Sequence, residues 1–383
     1  MCDLTVRTSL KLLLLFLVLS YGCRAQETLP YVTPWSGFGI EVNPFAGKVF
    51  KHEAKFTLPI PKLSTGLDVN LLLHAYGKKA WEQRRKYPTV GIGVTYINYG
   101  MDAVYGQCAS LYPNITLPLI SGKRLEWTLR IGDGIGYVTK DYRRIAPIDT
   151  INVAIGSHIN DYAQFMTNLR YHVNKHWDVQ VGGQFTHISD ASFHKPNLGI
   201  NMYGGHIGFR YFPVTSRPPR IERKLTRLKN RWLAQVRLSM AYVSGNTPSG
   251  PLYPVYIASG FMSKRWLSKN KAFAGIDYSY HDNIYAYLRN NGLEAGKEAQ
   301  SSYKSAVFFG NEFLLGRIGI VLQVGVYLKQ AYLTTDPYYE KVGGHYYIVQ
   351  REHGPVKEFF LSAFLKTHKT SAEFGELGIG FGF

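Results

Sequence analysis

The sequence predicts an all-β fold, a transmembrane antiparallel barrel of the outer-membrane type with about 14 strands, in a range of roughly 12 to 16. Three observations predict it. Apolar residues recur at every second position through segments of about ten residues, the period of a strand with one face to lipid and one to a lumen. Beyond the first 25 residues no apolar run approaches the roughly 18 residues that a membrane-crossing helix needs. The chain ends with Leu377, Ile379, Phe381 and Phe383 alternating with Gly378, Gly380 and Gly382. That ending has the pattern of a closing strand offered to the outer-membrane assembly machinery, an expected partner.

At the N-terminus, Arg7 and Lys11 flank the apolar core of residues 12–19, and small residues approach Ala25. This is a secretory signal pattern, so residues 1–25 are read as a signal peptide and 26–383 as one barrel. Lipidation of Cys23 is the other reading of the stretch, but Ser20 and Tyr21 suit it poorly. With Cys2 and Cys23 in the segment to be removed, Cys108 stands alone, no internal disulfide can form, and the thiol is expected to be a small packed side chain.

The strands come in order along the chain. Leu67, Val69, Leu71 and Leu73 alternate with Asp68, Asn70 and His74; Leu125, Trp127, Leu129 and Ile131 alternate with Glu126, Thr128 and Arg130. Phe165, Leu169 and Tyr171 alternate with Gln164, Asn168 and Arg170, and Trp232, Val236, Leu238 and Met240 alternate with Gln235 and Arg237. Further strands are expected near residues 36–47, 89–99, 107–118, 253–264, 270–281, 303–314, 316–328 and 357–367. Mid-strand charges sharing one face would be hard to bury between the sheets of a soluble sandwich, whereas a wet lumen accepts them. A transport or adhesion barrel with Arg130, Gln164, Asn168, Arg170 and Arg237 lining a pore is therefore the rival reading. The glycines of the IGDGIGYV segment (Gly132, Gly134, Gly136) precede no helix and are read as barrel curvature rather than a phosphate cradle.

One composition shift interrupts the pattern. Residues 214–230 carry Pro218, Pro219 and a run of Lys and Arg before Trp232. Because alternating strands flank it, the segment is read as a long basic loop or short amphipathic helix of the single barrel, with residues 213–383 as additional strands. The formal charge of +18, from 44 basic and 26 acidic residues, suits a phosphate-bearing partner. In an exported chain that partner is lipopolysaccharide and the surrounding outer-membrane lipids, not nucleic acid.

The chemistry concentrates between His176 and Tyr211. In the first strand Trp177, Val179, Val181, Phe185, His187 and Ser189 share a face, and in the return strand Asn201, Tyr203, Ile207, Phe209 and Tyr211 share one. A hairpin then brings Asn201 beside His187 and Ser189 on the outer wall. The tight turn near Asn174 and Lys175 is read as periplasmic and the loop 190–199 as extracellular, which sets the group at the outer leaflet. A serine needs a base, and a histidine needs an acceptor to fix its tautomer: His187 can serve Ser189, and Asn201 can orient His187. Asn197, with backbone N–H groups near Ser192, is the candidate oxyanion donor. His158, His194 and His206 lack metal-ligand spacing, and no metal or organic cofactor is implied.

Residues 187–201, HISDASFHKPNLGIN, resemble the PagL-type lipid A 3-O-deacylases and the related acyloxyacyl hydrolase group, whose pattern is H-x-S-N, then P-N-x-G, then an acidic residue or Asn. Asn152 to Asn160, with Tyr112 and Pro113, is similar to that group as well. The resemblance implies an outer-membrane barrel that hydrolyses an ester-linked acyl chain of lipid A, with His187 as base, Ser189 as nucleophile, Asn197 on the oxyanion and Asn201 as the orienting third member. Two positions depart from the pattern: Asp190 replaces Asn, and Asn201 stands where PagL has Glu although the acyloxyacyl group often has Asn. The first sets a negative charge beside the oxyanion, and the second weakens support for His187.

Overall fold

The computed structural model describes residue 33 and residues 35–383, apart from 53–54, 215–217, 227–230, 246–249, 267 and 370. The signal peptide expected at 1–25 lies outside them. Eight strands, β1 (Phe38–Val49), β2 (Ser64–His74), β3 (Thr89–Asn98), β4 (Gln107–Ser121), β5 (Leu125–Val138), β6 (Ile159–His172), β7 (Trp177–Ser189) and β8 (Ile200–Tyr211), close a first antiparallel barrel. Eight more, β9 (Trp232–Ser244), β10 (Leu252–Trp266), β11 (Asn270–His281), β12 (Tyr303–Leu315), β13 (Ile318–Lys329), β14 (Tyr338–Gln350), β15 (Glu358–His368) and β16 (Ser371–Gly382), close a second. Short helices α1 (Ala80–Arg84) and α2 (Asp282–Asn290) sit in connections.

The all-β outer-membrane architecture is as predicted, but the single barrel of about 14 strands is not. Closure happens twice, β8 returning to β1 through pairs such as Val42 with Phe209, and β16 returning to β9 through pairs such as Ile379 with Leu238. The basic segment at 214–230 is consequently the connection between barrels rather than a loop within one. Its described part is irregular and held by α1 and its flanks: the Ile221 N–H donates to Tyr76 O at 2.7 Å, and Arg220 lies over the Tyr87 ring.

Alternation dictates the faces. Leu71, Ile92, Val181, Ile207, Leu238 and Ile276 are exposed on the outside, where hydrocarbon receives them, and Tyr211 and Trp177 pair their rings at 4.7 Å near the connection end. The inward residues fill each lumen. Glu41 accepts from Arg130 and from Gln180 at 2.9 Å and forms an ion pair with Arg210 at 3.0 Å, Asp68 holds Arg130 at 3.0 Å, and Asp178 holds Arg210 at 3.3 Å. Tyr112 donates to Asp68, and its ring occupies the space that side chains at Gly93 and Gly132 would need. The pore expected along Arg130, Gln164, Asn168 and Arg170 is thus occupied by the residues meant to line it, all 1% exposed or less. Arg237 is equally buried in the second barrel, against Asp277 and Glu376. Cys108 is buried in the first barrel, the small packed thiol expected.

The barrels touch at both ends. At the connection end Arg85 donates to Leu314 O at 3.1 Å and Lys269 O at 2.6 Å. At the opposite end the Ser192 hydroxyl donates to Ala372 O at 2.8 Å.

Since Glu41 balances several guanidinium groups at once, Glu41→Gln leaves buried cations uncompensated. The expected loss is about 3–5 kcal/mol, read as a lower urea midpoint for the barrel refolded in lipid vesicles. An unchanged midpoint would mean that the lumen charges are not tightly coupled.

Candidate active site

β7 and β8 place the group by register. His187 pairs directly with Asn201 across the ladder, and Ser189 follows His187 two residues on, on the same outward face. The outward reading of all three is what the alternation predicted. Even so, Ser189 and Asn201 are only 4% and 7% exposed, because loop 190–199 and the segment after β1 fold over them. The Phe50 N–H donates to Asn201 O at 3.0 Å, and His52 Nε2 lies 2.8 Å from Leu198 O.

His187 Nδ1 lies 2.5 Å from Asn201 Oδ1. An amide oxygen accepts, so Nδ1 carries the proton and Nε2 is left with a free lone pair. Ser189 Oγ accepts from Asn197 Nδ2 at 2.9 Å and from the Ala191 N–H at 3.2 Å. The Asp190 N–H donates in turn to Asn197 Oδ1 at 3.4 Å, which aims the Asn197 amide. Among the described residues no hydrogen bond joins Ser189 to His187: the hydroxyl rests on the two donors and must rotate about χ1 to meet the base. Both groups nonetheless surround one point. A Cβ built on Gly199 would lie 2.9 Å from His187 Cε1 and 3.5 Å from Ser189 Cβ. Gly199 also has φ +75, so glycine is required there twice over.

Ala191 (φ 54) and Ser192 (φ 65) are both left-handed, a strained pair that turns the Ala191 N–H back toward Ser189 Oγ. The donor expected near Ser192 is therefore supplied one residue earlier. The Ser192 hydroxyl is engaged by Ala372 O, and its carbonyl accepts from the Ser244 N–H at 3.4 Å, both in the second barrel.

The segment 152–160 braces the loop from behind: the Gly199 N–H donates to Ala154 O at 2.8 Å, and Gly156 lies beneath the His194 carbonyl. Alternation alone could not find these, since they belong to irregular chain. Asp161 was findable and was missed; it pairs directly with Ser189 on β6, on the outward face. Below the site Phe185, Phe165, Tyr203 and Phe50 form an aromatic stripe on the outer wall, with ring centroids 5.7 to 6.3 Å apart. His194 lies against Asp190, His158 against Val138 O, and His206 inside the lumen against Asn168, which places all three in loops or lumen as expected.

Burial pushes the Asp190 carboxyl up to about 6, with His194 opposing the shift from 3.2 Å. The group is neutral below that pH and an anion beside the oxyanion donors above it.

Residues 66–210 match the family model described as lipid A 3-O-deacylase (PagL), and residues 232–383 match the one described as acyloxyacyl hydrolase, C-terminal domain. The two matches fall either side of the connection between the barrels. Among solved structures, the outer membrane enzyme PagL is 17% identical, covering 45% of this chain and 98% of that one with a TM-score of 0.30. Neisserial surface protein A is 12% identical, covering 46% and 97% with a TM-score of 0.31. A triple-mutant porin of Rhodopseudomonas blastica is 8% identical, covering 90% and 99% with a TM-score of 0.18. No curated protein matches by sequence.

Two outcomes are expected. Gly199→Ala drives a methyl into the His187 ring and should abolish ester hydrolysis while the barrel keeps its heat-modifiable mobility on gels; retained activity would show that the ring can yield. For Asp190 the folded pKa lies above the ordinary 3.8, so the stabilisation of the loop is complete below about pH 4 and is lost as pH rises through about 6. Asp190→Asn should therefore raise activity selectively above pH 6 and flatten the pH profile there, and a profile parallel to the parent's would rule this out.

Proposed function

We propose that the chain, whose residues 66–210 and 232–383 match the models described as lipid A 3-O-deacylase (PagL) and as acyloxyacyl hydrolase, C-terminal domain, is an outer-membrane serine esterase whose active group faces the outer leaflet and removes an ester-linked acyl chain from lipid A. The observation that carries this reading is the His187–Asn201 contact of 2.5 Å, on the same outward strand face as a serine already held by two N–H donors.

Each step has a residue. The acyl chain lies along the aromatic stripe of Phe165, Phe185 and Tyr203 in continuity with the bilayer, so the substrate needs no transfer into water. Ser189 rotates toward His187, gives its proton to Nε2 and attacks the ester carbonyl. The donors that Oγ leaves, Asn197 Nδ2 and the Ala191 N–H, are then free for the oxyanion. Asn201 Oδ1 holds the Nδ1 proton throughout, which keeps the imidazole in the base tautomer and steadies it once it is charged. Collapse breaks the bond to the sugar oxygen, which takes the proton from His187, and leaves the acyl group on Ser189. Water activated by the same base then releases the fatty acid.

Lipid A extracted from cells producing the chain should lose the mass of one acyl group, and cells producing Ser189→Ala should not. Identical mass spectra for both strains and the untransformed host, across several lipid A types, would sink the deacylase reading.

A further inference from the structure

The loop that carries Asn197 also walls a cavity shared with the second barrel. The cavity measures about 440 Å³ and is lined by Ser192 and Lys195 of the loop and by His281, Lys304, His368 and Glu373 of the second barrel. The contacts of Ser192 with Ala372 and Ser244 fasten its two sides together, and Ala191 lies over Gly375 of β16.

The charge balance in this cavity is the reverse of that in both lumens. In the first, Arg130, Arg170 and Arg210 face Glu41, Asp68, Glu126 and Asp178. In the second, Arg237, Lys271 and Lys341 face Asp277, Glu312, Glu358 and Glu376. Among the described residues, carboxylates are sufficient in each. In the cavity wall Lys304 rests on the carboxylate Glu373, His368 shares it at 2.9 Å, and Lys366 pairs with it at 2.9 Å from the lumen side. Lys195 makes no ion pair among the described residues, although burial pulls its ammonium below the ordinary value. Asp336 in the same wall is matched by Lys369 at 3.0 Å. Lys195 and Lys304 thus line the cavity while its carboxylate Glu373 is already shared with Lys366 and His368, and a cation excess of that kind calls for an anion. A phosphate monoester supplies the charge together with several acceptor oxygens for ammonium donors.

Lys195 lies six residues after Ser189, at most roughly 20 Å of extended chain, so one lipid headgroup can reach both. We propose that the cavity is a phosphate subsite for the sugar headgroup of the substrate lipid: the second barrel grips the anionic head while Ser189 on the first works on an acyl ester. The subsite rests on the deacylase reading of Ser189.

The test uses the full chain as Ser189→Ala, which binds without turnover, purified in a neutral detergent. Native mass spectrometry compares retention of lipid A bearing its glucosamine phosphates with a dephosphorylated form. The phosphorylated form should be retained about tenfold better, Lys195→Gln should erase the preference, and Lys195→Arg should restore it. A preference that survives in the Lys195→Gln, Lys304→Gln double variant overturns the subsite. So does a Lys195→Gln variant that loses both lipids equally, which would make Lys195 a prop for the loop. Inorganic phosphate held as tightly as the lipid would assign the cavity to free phosphate and overturn the lipid headgroup. Acyl release from phosphorylated lipid A by the unsubstituted chain is scored separately: its absence, with the phosphate preference intact, sinks the esterase and leaves phosphate binding standing.

Discussion

In hydrocarbon an unpaired backbone N–H or C=O has no water to turn to, so a strand that enters the bilayer must find a partner on both sides. Here that demand is met by the return of β8 to β1 and of β16 to β9. Closing at eight strands, rather than once around sixteen, dictates how each interior is built. An eight-stranded barrel is just wide enough for its own side chains. Its lumen must then be filled, and charges placed there must be matched, as Glu41 and Asp68 match Arg130. Two closures also create a seam between barrels, and the outer end of that seam falls on the loop that carries Asn197.

Ser189, the proposed nucleophile, sits on the outer wall with lipid on one side and so lacks half of the scaffold that an enclosed site enjoys. Support comes instead from within the sheet and from the loops above it. The ladder sets His187 opposite Asn201, segment 152–160 props Gly199, His52 reaches Leu198, and the second barrel anchors Ser192. The left-handed strain at Ala191 and Ser192 is tolerable because those anchors over-determine the loop. A change at Ala372 or Ser244, in a barrel with no nucleophile proposed for it, would therefore be felt at Ser189.

Most of the wall is legible in the sequence, because a period of two is the direct imprint of lipid on one face and lumen on the other. The same parity places His187, Ser189 and Asn201 together, since a hairpin converts alternation into cross-strand contact. Alternation cannot encode which strand a strand closes on: β8 looks alike whether its next partner is β9 or β1, and so the sixteen strands read as one barrel of fewer. The prolines of the connection are the available signal. β14 is hard to see in the sequence because Tyr339, Lys341, His345 and Tyr347 face its lumen while Gly344 interrupts its outer stripe, and a bulge near Tyr347 shifts the register. The Ala191 donor is equally hidden, since a backbone N–H turned by a left-handed residue leaves no mark on composition.

In the proposed esterase, Asn201 illustrates how the membrane setting alters the usual logic of a serine–histidine pair. A carboxylate behind the histidine would stabilise the imidazolium better, but at this position it would be buried at 7% exposure at the edge of hydrocarbon, where an incompletely compensated charge is expensive. The amide of Asn201 fixes the tautomer at 2.5 Å without introducing a charge. Asp190, on the other flank of Ser189, meets the same constraint below about pH 6, where burial keeps its carboxyl protonated. Ser189 is thereby enclosed by groups that position it and carry little charge of their own. The cations stand a loop away at the rim of the second barrel, where Lys304 and Lys366 are held by Glu373. Apolar chemistry at the wall and ionic grip at the rim are separated in space, as the acyl chain and the headgroup of a lipid are.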